Sequence, residues 1–181
     1  MERIVRFRDS LTRVFAWFGA ALFVLLLLAV ALRIPHSVSA SETQLKYLLQ
    51  PGTPVAIQNF VQPEAGCNWT GVGGQVFNLE RNPVIGLIVK VEGTLEGNPV
   101  LYYALTGSSI KFGSGGFEIQ LAEHPIASQG TLKIQLLDTA GIPISASIPL
   151  NTYDSCERNL ILINLVEFPA GLIYYFPLIF R

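Results

Sequence analysis

Between Val14 and Leu32 the chain reads VFAWFGAALFVLLLLAVAL, nineteen consecutive residues without a charge or a strongly polar side chain. Coiled as a helix at 1.5 Å per residue, the run reaches about 28 Å, close to the roughly 30 Å hydrocarbon thickness of a bilayer. A helix that is apolar on every face needs apolar surroundings on every side, and a small domain does not supply them. Ile34-Pro35 ends the pattern, because proline cannot continue the hydrogen-bond ladder. Residues 14–34 are therefore expected to form a transmembrane signal-anchor helix with membrane lipid as its partner. Arg3, Arg6, Arg8 and Arg13 precede it, so the positive-inside bias keeps residues 1–13 in the cytoplasm and sends the bulk of the chain to the cell surface. Val38-Ser39-Ala40 also resembles a signal-peptidase site, and cleavage near Ala40 would release a secreted body. Both readings place residues 41–181 outside the cytoplasm.

The charge divides along the same boundary. Residues 1–33 carry five Arg against two acids, whereas the remainder carries seven basic and eleven acidic residues. An acidic exported body has no electrostatic footprint for nucleic acid, which is excluded as a partner. The 181 residues hold one ordinary domain and an extra segment. Residues 35–66, punctuated by Ser37, Ser39, Pro51-Gly52, Pro54, Pro63 and Gly66, read as a linker. Within it Val55–Val61 is a candidate first strand, and Gln44–Gln50 has a weak signal for one or two helical turns.

Cys67 and Cys156 are the only cysteines, 89 positions apart. In an oxidising compartment they are expected to form one disulfide, worth roughly 4–5 kcal/mol in the chain-entropy account. Neither belongs to a CxxC pair or lies near a histidine, so no metal site is expected.

From residue 67 to 170 short apolar segments recur between Gly, Pro, Asn and Ser: Gly74–Leu79, Ile85–Glu92, Val100–Leu105, Phe117–Ala122, Thr131–Leu137, Ser145–Leu150 and Leu160–Phe168. Leu87, Val89 and Val91 alternate with Ile88, Lys90 and Glu92, and Leu132, Ile134 and Leu136 with Lys133 and Gln135. That period of two buries one face of each strand. About seven strands without a convincing helix predict an all-β, single antiparallel β-sandwich, with an Ig-like or related Greek key. No internal sequence repeat is apparent. An antibody-type module places its Trp well after the first Cys and a Tyr two before the second, whereas Trp69 follows Cys67 by two and Tyr153 precedes Cys156 by three.

The segment Gly73–Gly93, GGQVFNLERNPVIGLIVKVEG, resembles the opening of carboxypeptidase regulatory-like domains, which share the transthyretin-like (prealbumin-like) sandwich. It holds a Gly-x-Val strand, an Asn/Asp-x-x-x-x-Pro turn and a Gly-x-x-Val-x-Val strand. Ser114-Gly115-Gly116-Phe117-Glu118-Ile119 is similar to that family's turn-Gly-x-Phe-x-Ile element, and Gly130–Leu136 to its next strand. The resemblance covers Gly73 to about Gly141. It implies a non-catalytic surface module for adhesion, assembly or support.

No constellation for catalysis is visible. His124 and His36 lack a companion ligand, Glu92 with Glu96 and Asp154 with Glu157 read as solvated strand ends, and the Gly113–Gly116 turn is neither Gly-x-Ser-x-Gly nor a phosphate-binding loop. An enzyme is not expected, nor any cofactor. Trp69, Tyr102 and Tyr103 are the candidates for contact with a partner or a carbohydrate, because planar rings stack on sugars and anchor interfaces, with packing in the core beside the disulfide the competing and favoured reading of Trp69. Tyr102 and Tyr103 are neighbours in a strand, so one faces outward if the other faces the core. The apolar tail 171–181 is too short to span a bilayer; it reads first as a last strand or tail covering the sandwich and otherwise adds Tyr174, Tyr175 and Phe176 as candidate contacts at a membrane surface or a partner. The expected role is structural or partner-binding at the cell envelope, beside another envelope or membrane protein. The alternatives are an accessory single-pass subunit of a membrane complex and a carbohydrate-binding surface module.

Overall fold

The computed structural model describes residues 45–169. The expected cytoplasmic residues 1–13, the signal-anchor 14–34 and the tail with Tyr174, Tyr175 and Phe176 lie outside the described residues. Within 45–169 there is no α-helix, and no helix is long and apolar enough to cross a membrane. Ten strands form two sheets: β1 (Tyr47–Leu49), β2 (Val55–Ile57), β3 (Thr70–Phe77), β4 (Ile88–Leu95), β5 (Asn98–Leu105), β6 (Gly116–Ala122), β7 (Ser128–Leu137), β8 (Ile148–Thr152), β9 (Leu160–Leu162) and β10 (Leu165–Glu167).

The first sheet runs β1-β10-β3-β9-β2, with β6 also paired to β3; the second runs β5-β4-β7-β8. β3 is the axis of the first sheet. It pairs antiparallel with β6 on one side and parallel with β9 and β10 on the other. The architecture is therefore all-β and two-layered, but not purely antiparallel as the alternation had implied.

The expected strand Leu160–Phe168 is split at Ile163-Asn164, and the split is bridged. Ile163 donates its amide to the Gly73 carbonyl at 2.9 Å, and the Asn164 Oδ1 accepts the Gln75 amide at 2.9 Å, standing in for a backbone acceptor. Gly74 is required beside it, because a Cβ there would lie 1.8 Å from the Ile163 carbonyl oxygen.

Two further expectations are corrected upstream. Of the segment Gln44–Gln50, the described residues 45–50 supply a strand and no helical turn, since Tyr47–Leu49 pairs antiparallel with Leu165–Glu167 and turns Tyr47 into the core. Strand pairing satisfies its backbone and buries one face, which a single isolated turn cannot do. The first strand expected over Val55–Val61 stops at Ile57, and Val61 instead enters a loop that folds onto the first sheet. The sandwich thus uses two strands from within the segment read as a linker.

The alternating patterns behave as the period requires. Val89, Val91, Leu132, Ile134 and Leu136 are fully buried and meet Val72, Val76, Phe117 and Leu165 from the opposite sheet. Turn chemistry sets the registers. Glu96 and Gly97 both have positive φ, at 51° and 78°, which gives the two-residue hairpin turn that matches strand twist and fixes Leu95 opposite Asn98.

A repeat that the residues alone had not revealed is visible in the backbone. Asn78 donates to the Asn82 carbonyl and Asp138 to the Ile142 carbonyl, both at 2.9 Å; Phe77 bridges Pro83, and Leu137 bridges Pro143. The Asn/Asp-x-x-x-x-Pro turn therefore occurs twice, after β3 and after β7.

Candidate functional site

The two outer faces of the sandwich differ, and the difference locates the candidate surface. The outer face of the first sheet is roofed by a second apolar cluster of Val61, Trp69, Phe112 and Leu160. Gly73 in β3 makes room for it, because a Cβ there would fall 2.2 Å from the Phe112 ring. Phe60 meets Phe112 edge-on at 5.4 Å between ring centres, and the Lys111 ammonium donates to the Val61 carbonyl, joining the two covering loops.

Two buried asparagines clip this roof. The Asn159 Oδ1 accepts the Asn59 amide at 2.8 Å, while its Nδ2 donates to the Gly66 and Trp69 carbonyls at 3.1 and 3.0 Å. The Asn59 Oδ1 in turn accepts the Val61 and Gln62 amides, both at 3.0 Å. Beside them the expected disulfide is present: Cys67 and Cys156 are joined, with Cα atoms 5.1 Å apart. It connects the roof loop to the β8–β9 connection, outside both sheets, unlike the inter-sheet bridge of an antibody domain.

Trp69 belongs to this roof. Only 2% exposed, it is removed from the candidate contacts, because its ring fills the space over Gly71 and is closed to any partner. A carbohydrate platform loses its largest ring.

Among the described residues the second sheet has no such cover on β5. Leu101, Tyr103 and Leu105 are 55%, 57% and 52% exposed and alternate on one face, while Tyr102 is half-buried against the core. Tyr103 is thus the outward member of the pair. Cross-strand registers align three rows: Leu105–Ile88–Leu137, Tyr103–Lys90–Gln135 and Leu101–Glu92–Lys133. Lys90 pairs with Glu92 at 2.8 Å, leaving the stripe flanked by a neutral ion pair. A shallow groove of about 680 Å³ runs between Ile88, Tyr103, Leu105, Leu137 and Gly141 at the apolar end. Leu101 and Leu105 were not singled out by sequence reasoning. Their signal was the Leu-x-Tyr-x-Leu alternation within the uncharged run Asn98–Leu105.

Among the described residues the titratable groups do not converge elsewhere. Glu96 meets His124 at 3.2 Å with both side chains more than half exposed, and Glu92 is taken up by Lys90. The Ser155 hydroxyl donates to Glu157 and holds its carboxyl below the usual range. Among the described residues no group of three His, Cys, Asp or Glu side chains is arranged to hold a metal ion. No family model matches the chain, and neither does any curated protein or solved structure.

Proposed function

We propose that the protein is a membrane-anchored, extracytoplasmic β-sandwich of transthyretin-like type, with a structural or partner-binding role at the cell envelope and no catalytic one. The observation that carries this reading is the exposed stripe Leu101–Tyr103–Leu105 on a sandwich whose opposite face is roofed. Contiguous exposed apolar surface beside polar residues marks interaction sites. The disulfide supports an oxidising compartment, and the apolar run at 14–34 supports the anchor. The transthyretin-like assignment is supported by where the resembling segments fall. Gly73–Gly93 covers the end of β3, its turn and most of β4; Ser114–Ile119 opens β6; Gly130–Leu136 lies in β7.

Solubilising the full chain from membranes in mild detergent tests the role. A stoichiometric complex that dissociates on Leu101→Ser, Tyr103→Ser and Leu105→Ser together is the expected result, and a complex indifferent to the triple substitution removes the stripe from the function. Non-reducing peptide mapping tests the compartment, since alkylatable thiols at Cys67 and Cys156 in freshly lysed cells contradict export.

A further inference from the structure

We propose that the occupant of the β5 edge is a second copy of this chain, joined antiparallel about a two-fold axis at Tyr103. The proposal rests on the partner-binding reading and names the partner.

Backbone parity defines the open groups. Leu95 and Asn98 flank the two-residue turn, so Asn98, Val100, Tyr102 and Ala104 direct their amides and carbonyls toward β4. Pro99, Leu101, Tyr103 and Leu105 direct theirs outward, where no described strand pairs with them. The next residue of that parity, Gly107, donates to the Gly116 carbonyl at 2.7 Å, which closes the edge at that end. Pro99 has no amide to offer and closes it at the other. The open window is therefore Leu101 to Leu105, and Tyr103 is its midpoint.

Only one self-pairing uses the whole window. With Tyr103 opposite its own copy, Leu101 faces Leu105 of the other copy and Leu105 faces Leu101. The Tyr103 amides and carbonyls then exchange two hydrogen bonds, and each Leu105 amide meets a free Leu101 carbonyl. Each Leu101 amide meets a Leu105 carbonyl, which keeps a second lone pair while accepting Ser108 at 3.2 Å. Pro99 falls beyond the paired stretch. A register centred on Leu101 would instead set Pro99 against Tyr103 and leave a carbonyl without a donor.

Charge agrees with self-pairing. β5 carries no charged residue from Asn98 to Leu105, and like charges directly opposite each other would oppose the contact. Of the charges bordering the strand, Lys90 and Glu92 neutralise each other within one copy, and Glu118, which lines the groove beside Tyr103 and Leu105, is held by the Gln62 amide and the Ser109 hydroxyl. Long regular edges are ordinarily blunted by charge, proline or bulges. The opposite edge β8 is blunted: it has five residues, contains Pro149, and the β7–β8 register shifts between Ser128 and Leu132. A window of this size buries less than the roughly 1,200 Å² of a stable complex, so the dimer is a dissociable one.

Cysteine cross-linking in the full chain, in its membrane, reads the register. Hydrogen-bonded antiparallel partners have Cα atoms about 5.5 Å apart, within the roughly 4.4–6.8 Å span of a disulfide. Two Leu101 positions would be offset by four residues, roughly 14 Å. The expected result under mild oxidation is a reducible dimer for Y103C, none for L101C alone, and a dimer when L101C and L105C are co-expressed. Y103K, at an exposed position, should abolish association while leaving the fold intact. Four outcomes overturn the proposal. They are a Y103C chain that stays monomeric with a reactive thiol, equal cross-linking of Y103C and L101C, linkage of Y103C to a protein of different mass, and a thiol that reacts only after residues 171–181 are deleted. The third would leave the partner-binding reading standing, so the two failures are distinguishable.

Discussion

The outer faces of the two sheets differ: over the first, Gly71 and Gly73 leave room for a roof of Trp69 and Phe112, whereas at the β5 edge of the second Leu101, Tyr103 and Leu105 stand exposed among the described residues. Connection length explains the difference. Residues 58–69 and 106–115 separate β2 from β3 and β5 from β6, and both segments have enough chain to fold back over the first sheet. The β4–β5 connection is only Glu96-Gly97, and the 106–115 segment at the other end of β5 carries Phe112 onto the first sheet, so among the described residues neither adjoining connection covers Leu101, Tyr103 and Leu105. The sealed face spends polar groups on holding its roof, through Asn59, Asn159 and Lys111. The bare face keeps Leu101, Tyr103 and Leu105 available. Stability should therefore reside in the roof and association in the stripe.

The sharpest way to break this division is to remove the roof's centre. Trp69→Ala should cost about 3–5 kcal/mol, as expected for deleting a fully buried aromatic. Urea unfolding measures the loss, and a smaller effect than for the stripe substitutions would reverse the assignment. Opening the Cys67–Cys156 bridge with a double serine variant should cost somewhat less, about 2–5 kcal/mol. It should also render the loop around Pro63–Ala65 protease-sensitive before global unfolding.

How much of this division was legible in the residues depends on whether the signal was local. β4 and β7 announce themselves through strict alternation, and the disulfide through two lone cysteines in a chain read as exported. The three-residue strands β1 and β2 carry no comparable periodicity, and they exist because Leu160–Glu167 offers them an edge more than one hundred positions away. The break between β9 and β10 depends on the Asn164 side chain replacing a backbone acceptor for Gln75, a contact 89 positions apart. Trp69 beside a cysteine favoured packing near the disulfide over an outward contact, but the neighbours that bury it, Phe112 and Leu160, arrive from elsewhere in the chain. The stripe was the opposite case. Leu101 and Leu105 stood at period two beside Tyr103, but only the unpaired edge distinguishes them from an ordinary half-buried strand.

Asn159→Ala sharpens the comparison at a smaller scale. The change leaves the Asn59 amide and the Gly66 and Trp69 carbonyls without their partner, which for buried groups costs about 1–3 kcal/mol. Hydrogen exchange at Asn59 and Gly71 should accelerate ahead of exchange in β4 and β7. Uniform acceleration would mean that the roof and the core open together.

Tyr47 extends the comparison to the edge of the sealed sheet. Burial, aided by the Glu167 carboxylate, raises its phenol above the ordinary value of 10.0. The folded state thus favours the neutral phenol. Its contribution is complete below about pH 10, where the unfolded phenol is also neutral, and falls as pH rises through the folded value. Tyr47→Phe should flatten the alkaline loss of stability, and an unchanged alkaline limb would place the titrating group elsewhere.

The smallest expected effect is also the most discriminating. Leu101→Thr and Leu105→Thr introduce a β-branched, strand-compatible side chain on an exposed face, where substitutions ordinarily change stability by about 0.5 kcal/mol or less. If the bare face contributes only to association, the unfolding midpoint of the monomer should stay put while the complex dissociates at higher protein concentration. The Trp69→Ala variant should show the converse, a lower midpoint with association retained wherever the fold persists. A stripe whose removal lowers monomer stability as much as the roof does would mean that β5 is covered within the chain itself, and the contrast between the two faces would then be one of degree.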